Sequence, residues 1–130
     1  MIAVDTSALM AIVLGEPEGA ACIETLAAQS DVVICAGTLA ETLIVAARRN
    51  VGAEVAALVE DLGFSVIPLT EAGSRRVAQA YARWGRGVHP AALNFGDCFA
   101  YALAKAEDRP LLFVGEDFSR TDVRRVETGG

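Results

Sequence analysis

The stretch Ile2-Ala3-Val4-Asp5-Thr6-Ser7 decides the fold: three apolar residues in a row run into an acid and two hydroxyl residues of the kind that open helices. A run that short and wholly apolar reads as a strand buried on both faces, and its passage into a helix reaching about Leu14 makes a strand–helix unit. The pattern recurs. Gly15 and Pro17 punctuate the chain, a helical face spans Glu18 to about Gln29, and Val32-Val33-Ile34-Cys35 forms a second strand. A helix from Thr38 to about Asn50 follows, and after Val51-Gly52 another runs from Ala53 to Leu62. Phe64 to Pro68 supplies a third strand, Thr70 to Trp84 a helix, Asn94 to about Ala106 another with Phe95, Phe99, Ala102 and Leu103 facing inward, and Leu111 to Val114 a fourth strand. Val123 and Val126 suit an edge strand. Short apolar runs alternating with helices predict an α/β domain of three layers, α/β/α, around a central mostly parallel sheet.

Composition bounds the function. The 130 residues are the length of a single domain over 1–130, and at 53% hydrophobic and 22% charged they can bury a core. Eleven basic against seventeen acidic residues give a net charge of −6, which argues against a nonspecific nucleic-acid binder. Acids gathered to hold cations would reverse that argument locally, because a bound divalent ion offsets their charge and bridges to phosphate. Cys22, Cys35 and Cys98 are odd in number and include no C-x-x-C pair, so neither a disulfide framework nor a zinc site is expected, and a reducing cytoplasm is. With no basic leader and no apolar run near the roughly 18 residues that span a bilayer, neither export nor a membrane is expected.

In a parallel α/β sheet, sites form beyond the carboxyl ends of the strands. Asp5 follows the first strand, Glu41 lies one turn into the helix after the second, Asp117 comes three residues after the fourth, and Asp97 sits in the first turn of the helix from Asn94. Neighbouring carboxylates repel by about 1 kcal/mol per pair at 4 Å in water, and by several times that in a poorly solvated cleft. Oxygen-only ligands select hard divalent cations, so the constellation reads as a Mg²⁺ or Mn²⁺ site acting on phosphodiesters. Taken singly, each acid has a plainer explanation as a helix cap: Thr38-x-x-Glu41 spells a capping box, Asn94-x-x-Asp97 nearly does, and Asp5 or Ser7 suits the first helix start. Gly96, costing about 1 kcal/mol against Ala inside a helix, suggests a close approach beside Asp97.

Val4-Asp5-Thr6-Ser7-Ala8-Leu9, the isolated Glu41, Asn94-Phe95-Gly96-Asp97-Cys98-Phe99-Ala100 and Leu112-Phe113-Val114-Gly115-Glu116-Asp117-Phe118 together resemble the PIN domain, and more narrowly a VapC-type toxin, over essentially the whole chain. The resemblance implies a metal-dependent endoribonuclease of a toxin–antitoxin pair. Asp5, Glu41, Asp97 and Asp117 would be its acidic quartet, and Thr6, Ser7 and Asn94 its supporting polar positions, with Asp122 in the run after the fourth acid. Glu116 departs from the pattern, which sets it against Asp117 for the fourth place; Asp117 is preferred. Also implied are a structured RNA substrate such as tRNA or rRNA, a homodimer, and a cognate antitoxin that covers the site. Water activated by the ion and oriented by Glu41 or Asp117 would leave 5′-phosphate and 3′-hydroxyl ends.

Other residues carry less. Arg75, Arg76, Arg83 and Arg86 in one stretch, and Arg120, Arg124 and Arg125 in another, suit an RNA backbone or simply a solvated face. His89 reads as structural, Cys98 as a buried thiol, and Trp84, Tyr81 and Tyr101 as core or interface residues. Leu9, Ile12, Val13, Leu39, Leu43, Val55, Leu58 and Val59 suggest an apolar groove on the first-half helices for a partner. Two alternatives compete: a catalytically silent PIN-like scaffold binding RNA or protein, and a metal-dependent phosphatase, which wants a second acid where Ser7 stands.

Overall fold

The computed structural model describes residues 1–128. Strands β1 (Ile2–Val4), β2 (Val32–Cys35), β3 (Ser65–Ile67) and β4 (Leu111–Leu112) alternate with helices α1 (Thr6–Val13), α2 (Gly19–Ala27), α3 (Ala36–Arg48), α4 (Gly52–Asp61), α5 (Glu71–Trp84) and α6 (Phe95–Ala106). The sheet order is β3-β2-β1-β4, and every pairing between these strands is parallel. Ile2 lies opposite Val32 and Ala3 opposite Leu111, so β1 sits centrally.

Because strand side chains alternate between faces, the sheet feeds two cores. Ala3, Val33, Cys35 and Leu111 point to one side and pack with Val77, Ala80 and Trp84 of α5 and with Phe99 of α6. Ile2, Val4, Val32, Ile34 and Leu112 point to the other and meet Leu9 of α1 and Cys22 and Leu26 of α2. The expected three layers are present. Leu9, Ile34 and Leu111 are fully enclosed, each worth about 1.5–3 kcal/mol by burial. A hydrogen-bonded line from Trp84 Nε1 to the Tyr101 hydroxyl and on to Asp122 ties α5, α6 and the C-terminal segment together.

Four local expectations change. Helix α3 begins at Ala36, not Thr38, because β2 runs into it with no linker: Cys35 is its N-terminal flanking residue and makes no side-chain cap. Thr38 is therefore inside the helix, and the Thr38–Glu41 capping box does not exist. β4 stops at Leu112 because the Val114 N–H is taken by Ser7 Oγ at 3.0 Å, which puts Asp117 five residues past the strand instead of three. Val123 and Val126 form no edge strand; the segment contributes one parallel bridge, Leu111 to Arg125. Phe95 does not face inward: it is 68% exposed, although α6 is buried from Gly96 through Ala102.

The first-half helices also leave less apolar surface than expected. Leu9 and Val55 are buried, and Ile12, Val13, Leu39, Leu58 and Val59 pack against the cores, so of that set only Leu43 is exposed. No helix among the described residues is long and apolar enough to cross a membrane.

Candidate metal centre and nuclease cleft

Parallel strands place their carboxyl ends on one rim, and the acids arrive there from four separate segments. Asp5 leaves β1 in extended conformation and caps α1: its Oδ2 accepts from the Ser7 N–H at 3.1 Å and from Ser7 Oγ at 2.7 Å. Ser7 Oγ in turn accepts from Val114 N–H, so one hydroxyl fastens the first acid to the segment leading to Asp117. Asp5 Oδ1 is buried and has no hydrogen-bond partner. A buried carboxylate oxygen without a partner is costly, and a cation is the ligand that would satisfy it.

Glu41 stands in the second turn of α3, where no cap needs it. Its Oε1 accepts from Thr6 Oγ1 at 2.7 Å, and Thr6 Oγ1 lies 2.8 Å from Thr42 Oγ1. Each hydroxyl has one proton and a carboxylate only accepts, so Thr6 donates to Glu41, while the Thr42 proton is shared between Thr6 Oγ1 and the Thr38 carbonyl, each 2.8 Å away. Thr6→Val is expected to free the Glu41 carboxylate and lower the activity of this site about tenfold, since hydrogen bonds to charged groups are worth about 1.5–3 kcal/mol; Thr6→Ser should keep wild-type rates in the same assay.

Asp97 opens α6 in a full capping box: Asn94 Oδ1 accepts from the Asp97 N–H at 2.8 Å, and Asp97 Oδ2 accepts from the Asn94 N–H at 3.0 Å. The capping explanation therefore holds for Asp97 and Asp5, but it uses one oxygen of each. The Gly96 backbone lies against Glu41, and a Cβ at Gly96 would overlap the Glu41 carboxylate. That is the close approach the glycine suggested.

Electrostatics bind the group together. Burial pushes the Asp97 carboxyl up to about 7, with the charges of Asp5, Asp117 and Glu41 adding to the rise. Burial likewise lifts Asp5 to about 6, and Glu41 adds to it. The charges of Asp5, Asp117 and Glu41 thus all reach Asp97. As placed, no three His, Cys, Asp or Glu side chains among the described residues close round one point. A hard cation such as Mg²⁺ keeps several waters and takes only one or two carboxylates directly. The orphaned Asp5 oxygen, the all-oxygen donor set and the raised carboxyls fit such an ion.

The remaining candidates separate. Asp117 is exposed and its charge reaches Asp97, whereas Glu116 accepts from Ser119 Oγ at 2.8 Å. Asp122 is drawn elsewhere: it accepts from the Tyr101 hydroxyl and pairs with Lys105 at 3.3 Å, which holds its carboxyl below the usual range. It braces α6 two turns below Asp97 instead of joining the acids. Cys98 is buried, and its thiol is pushed up to about 11, first by burial and then by Asp97, so it is no thiolate. His89 Nδ1 accepts from the Ala91 N–H and its ring packs on Trp84, in line with a structural role. Arg75 pairs with Glu71, Arg83 stacks on Trp84, Arg124 pairs with Asp108, and Arg125 covers Phe113. The residue missed from sequence is Phe95, whose i+4 spacing to Phe99 looked like a core stripe.

Comparison with known proteins identifies the family and the fold. A family model described as the PIN domain matches residues 2–124. The chain is 42% identical over 125 residues to ribonuclease VapC36 of Mycobacterium tuberculosis, covering 92% of this chain and 89% of that protein. It is 41% identical over 128 residues to ribonuclease VapC28 of the same organism, covering 95% and 96%. Among solved structures, it resembles Mycobacterium tuberculosis VapC20, described as a sarcin–ricin loop cleaving toxin, at a TM-score of 0.78 and 19% identity over 97% of this chain and 98% of that one. A toxin–antitoxin complex from Klebsiella pneumoniae matches at a TM-score of 0.71 and 16% identity, covering 94% and 93%.

Proposed function

This chain belongs to the VapC ribonucleases of the PIN-domain family, and from that premise we propose that it is the toxin of a toxin–antitoxin pair, cutting RNA at the cleft of Asp5, Glu41, Asp97 and Asp117 with Mg²⁺ or Mn²⁺. The observation that carries the site assignment is Asp97: a buried carboxyl pushed up first by its burial and then by the charges of three other acids from three other segments. Capping accounts for Asp5 and Asp97 singly. It gives no reason for Glu41, which caps nothing and is nevertheless held in place by Thr6.

Asp5, Asp97 and Asp117, with Glu41, are the residues that would hold the ion. When bound, a divalent cation supplies Lewis acidity for the attacking water and for the oxygen that leaves, and offsets the charge of the phosphodiester. The protein's own groups do the rest. Ser7 and the Asn94 capping box fix two acids on rigid elements, which limits the reorganisation needed at the moment of reaction. Glu41, with Oε1 occupied by Thr6, has Oε2 left to orient the water and accept its proton. Attack on phosphorus with departure of the 3′ oxygen leaves a 5′-phosphate and a 3′-hydroxyl.

The substrate class we assign is structured RNA, tRNA or rRNA, in the cytoplasm. Its regulator is a cognate antitoxin, and the working form a homodimer. Solved neighbours of the fold include a toxin–antitoxin complex and VapBC2 from Rickettsia felis bound to a promoter DNA fragment. End-mapped sequencing of total RNA after incubation with the protein and Mg²⁺ or Mn²⁺ tests the reading. Discrete cuts with 5′-phosphate ends, absent with EDTA, are expected; unchanged RNA from folded, antitoxin-free protein would refute it.

A further inference from the structure

Phe95 is an anomaly with a position. It is the first residue of α6, flanked by the capping Asn94 and by Gly96, and it stands two residues before Asp97. Its ring is 68% exposed, on a helix that is otherwise buried for the next seven residues. It is not loose, because the capping box fixes the backbone and Phe99 one turn on meets the ring edge-on at 4.7 Å. Phe99 can lie there because Gly37 has no side chain; a Cβ at that position would strike its ring.

The ring divides two hollows. On one side, α3 and α6 border an open groove of about 350 Å³ lined by Gly37, Glu41, Ile44, Phe95, Gly96 and Phe99. Small-molecule sites start at roughly 300 Å³, so a planar ring system fits. On the other side a second hollow is lined by Tyr81, Arg86, Asn94 and Phe95. Arg86 has no ion-pair partner among the described residues, unlike Arg75, Arg83 and Arg124, and Tyr81 is 40% exposed. An apolar slot continuous with the carboxylates, an aromatic edge and then an unneutralised cation match a nucleotide in alternation: base in the slot, phosphate at the arginine.

We propose that Phe95 is a base-stacking residue, holding an unpaired nucleobase next to the scissile phosphate against Phe95 and Ile44, while Arg86 takes a neighbouring phosphate. This deepens the ribonuclease reading and rests on it. An aromatic face accepts any base with graded strength, so the slot sets a preference at one position beside the cut. It also gives a chain of net charge −6 a local way to engage RNA, by stacking beside a cation.

The test compares wild type with Phe95→Leu, which keeps apolar bulk without a π face, Phe95→Trp, which keeps the face, and Arg86→Ala. Each is incubated with total cellular RNA and Mn²⁺, all cut ends are sequenced, and kcat and KM are measured on a transcript spanning the strongest wild-type cut. Phe95→Leu is expected to raise KM about tenfold with kcat within about threefold, and to flatten the base preference at one flanking position. Phe95→Trp restores both, and Arg86→Ala reduces the slope of log affinity against log salt by about one without altering the preference. An active wild type whose Phe95→Leu variant matches it in KM and preference overturns the stacking role alone. So does a Phe95→Leu variant that shifts sedimentation from dimer to monomer, which would make the slot a contact between copies. A wild type that cuts nothing overturns this proposal and the ribonuclease reading together.

Discussion

Asp97→Asn is expected to lose RNA cleavage by about 10³-fold while making the metal-free protein more stable. The first effect follows from removing a carboxylate from the group that would hold the ion, several kcal/mol of transition-state stabilisation at 1.36 kcal/mol per decade. The second follows from linkage. Asp97 ordinarily titrates at 3.8 and in the folded protein at about 7, so the native state binds the proton more tightly than the unfolded one. That contribution is fully present below about pH 4 and is lost as pH rises through about 7, where the buried group is forced to ionise. Asparagine removes the penalty and keeps an oxygen to accept from the Asn94 N–H. Allowing for solvent screening in a half-open cleft, the gain at pH 8 is about 2 kcal/mol, or roughly 6–8 °C in Tm. Thermal melts at pH 4 and pH 8 in EDTA check it: the variant should exceed wild type at pH 8 and come close to it at pH 4. A variant that is less stable at both would mean that Asp97 serves folding alone.

Gly96→Ala is the sharper probe, because it adds one methyl group and removes no functional atom. Alanine favours a helix over glycine by about 1 kcal/mol, so simple propensity predicts a more stable protein with unchanged activity. The structure predicts otherwise. The new Cβ would occupy the place of the Glu41 carboxylate, and that side chain must swing away, breaking its hydrogen bond from Thr6. A displacement on the order of 1 Å at a reacting group costs about 10²-fold in rate, so cleavage should fall by that amount with Tm held or slightly raised. Single-turnover cleavage measured beside a thermal melt decides it; full activity would show that Glu41 has no fixed place in the reaction.

The layers of the fold were legible because each strand is a short, continuous apolar run and each helix ends on glycine, proline or a cap. Strand ends were less so. β4 stops early because a side chain in α1, Ser7, captures Val114, and no local pattern records a hydrogen bond between residues so far apart. The α3 start is hidden for a related reason: a Thr-x-x-Glu spacing looks like a cap wherever it occurs, and only the direct passage from β2 shows that Thr38 is already helical. The positions of Asp5 and Asp97 at helix starts follow from the sequence, whereas Glu41 stands in the second turn of α3. Asp122 was not legible, since its partners Tyr101 and Lys105 lie on another element, and Phe95 was not, since apolar spacing on a helix cannot tell a core residue from one held out beside a site.

If the carboxylates of Asp5, Glu41, Asp97 and Asp117 act as one divalent-cation site, thermal melting with Mn²⁺ at pH 7.5 reads it directly. At an ion concentration near one hundred times Kd, binding to the native state adds about 2.7 kcal/mol. Wild type should therefore melt roughly 8–10 °C higher in Mn²⁺ than in EDTA. Asp97→Asn should gain little or nothing. An equal gain in both proteins, or none in wild type, would contradict the site.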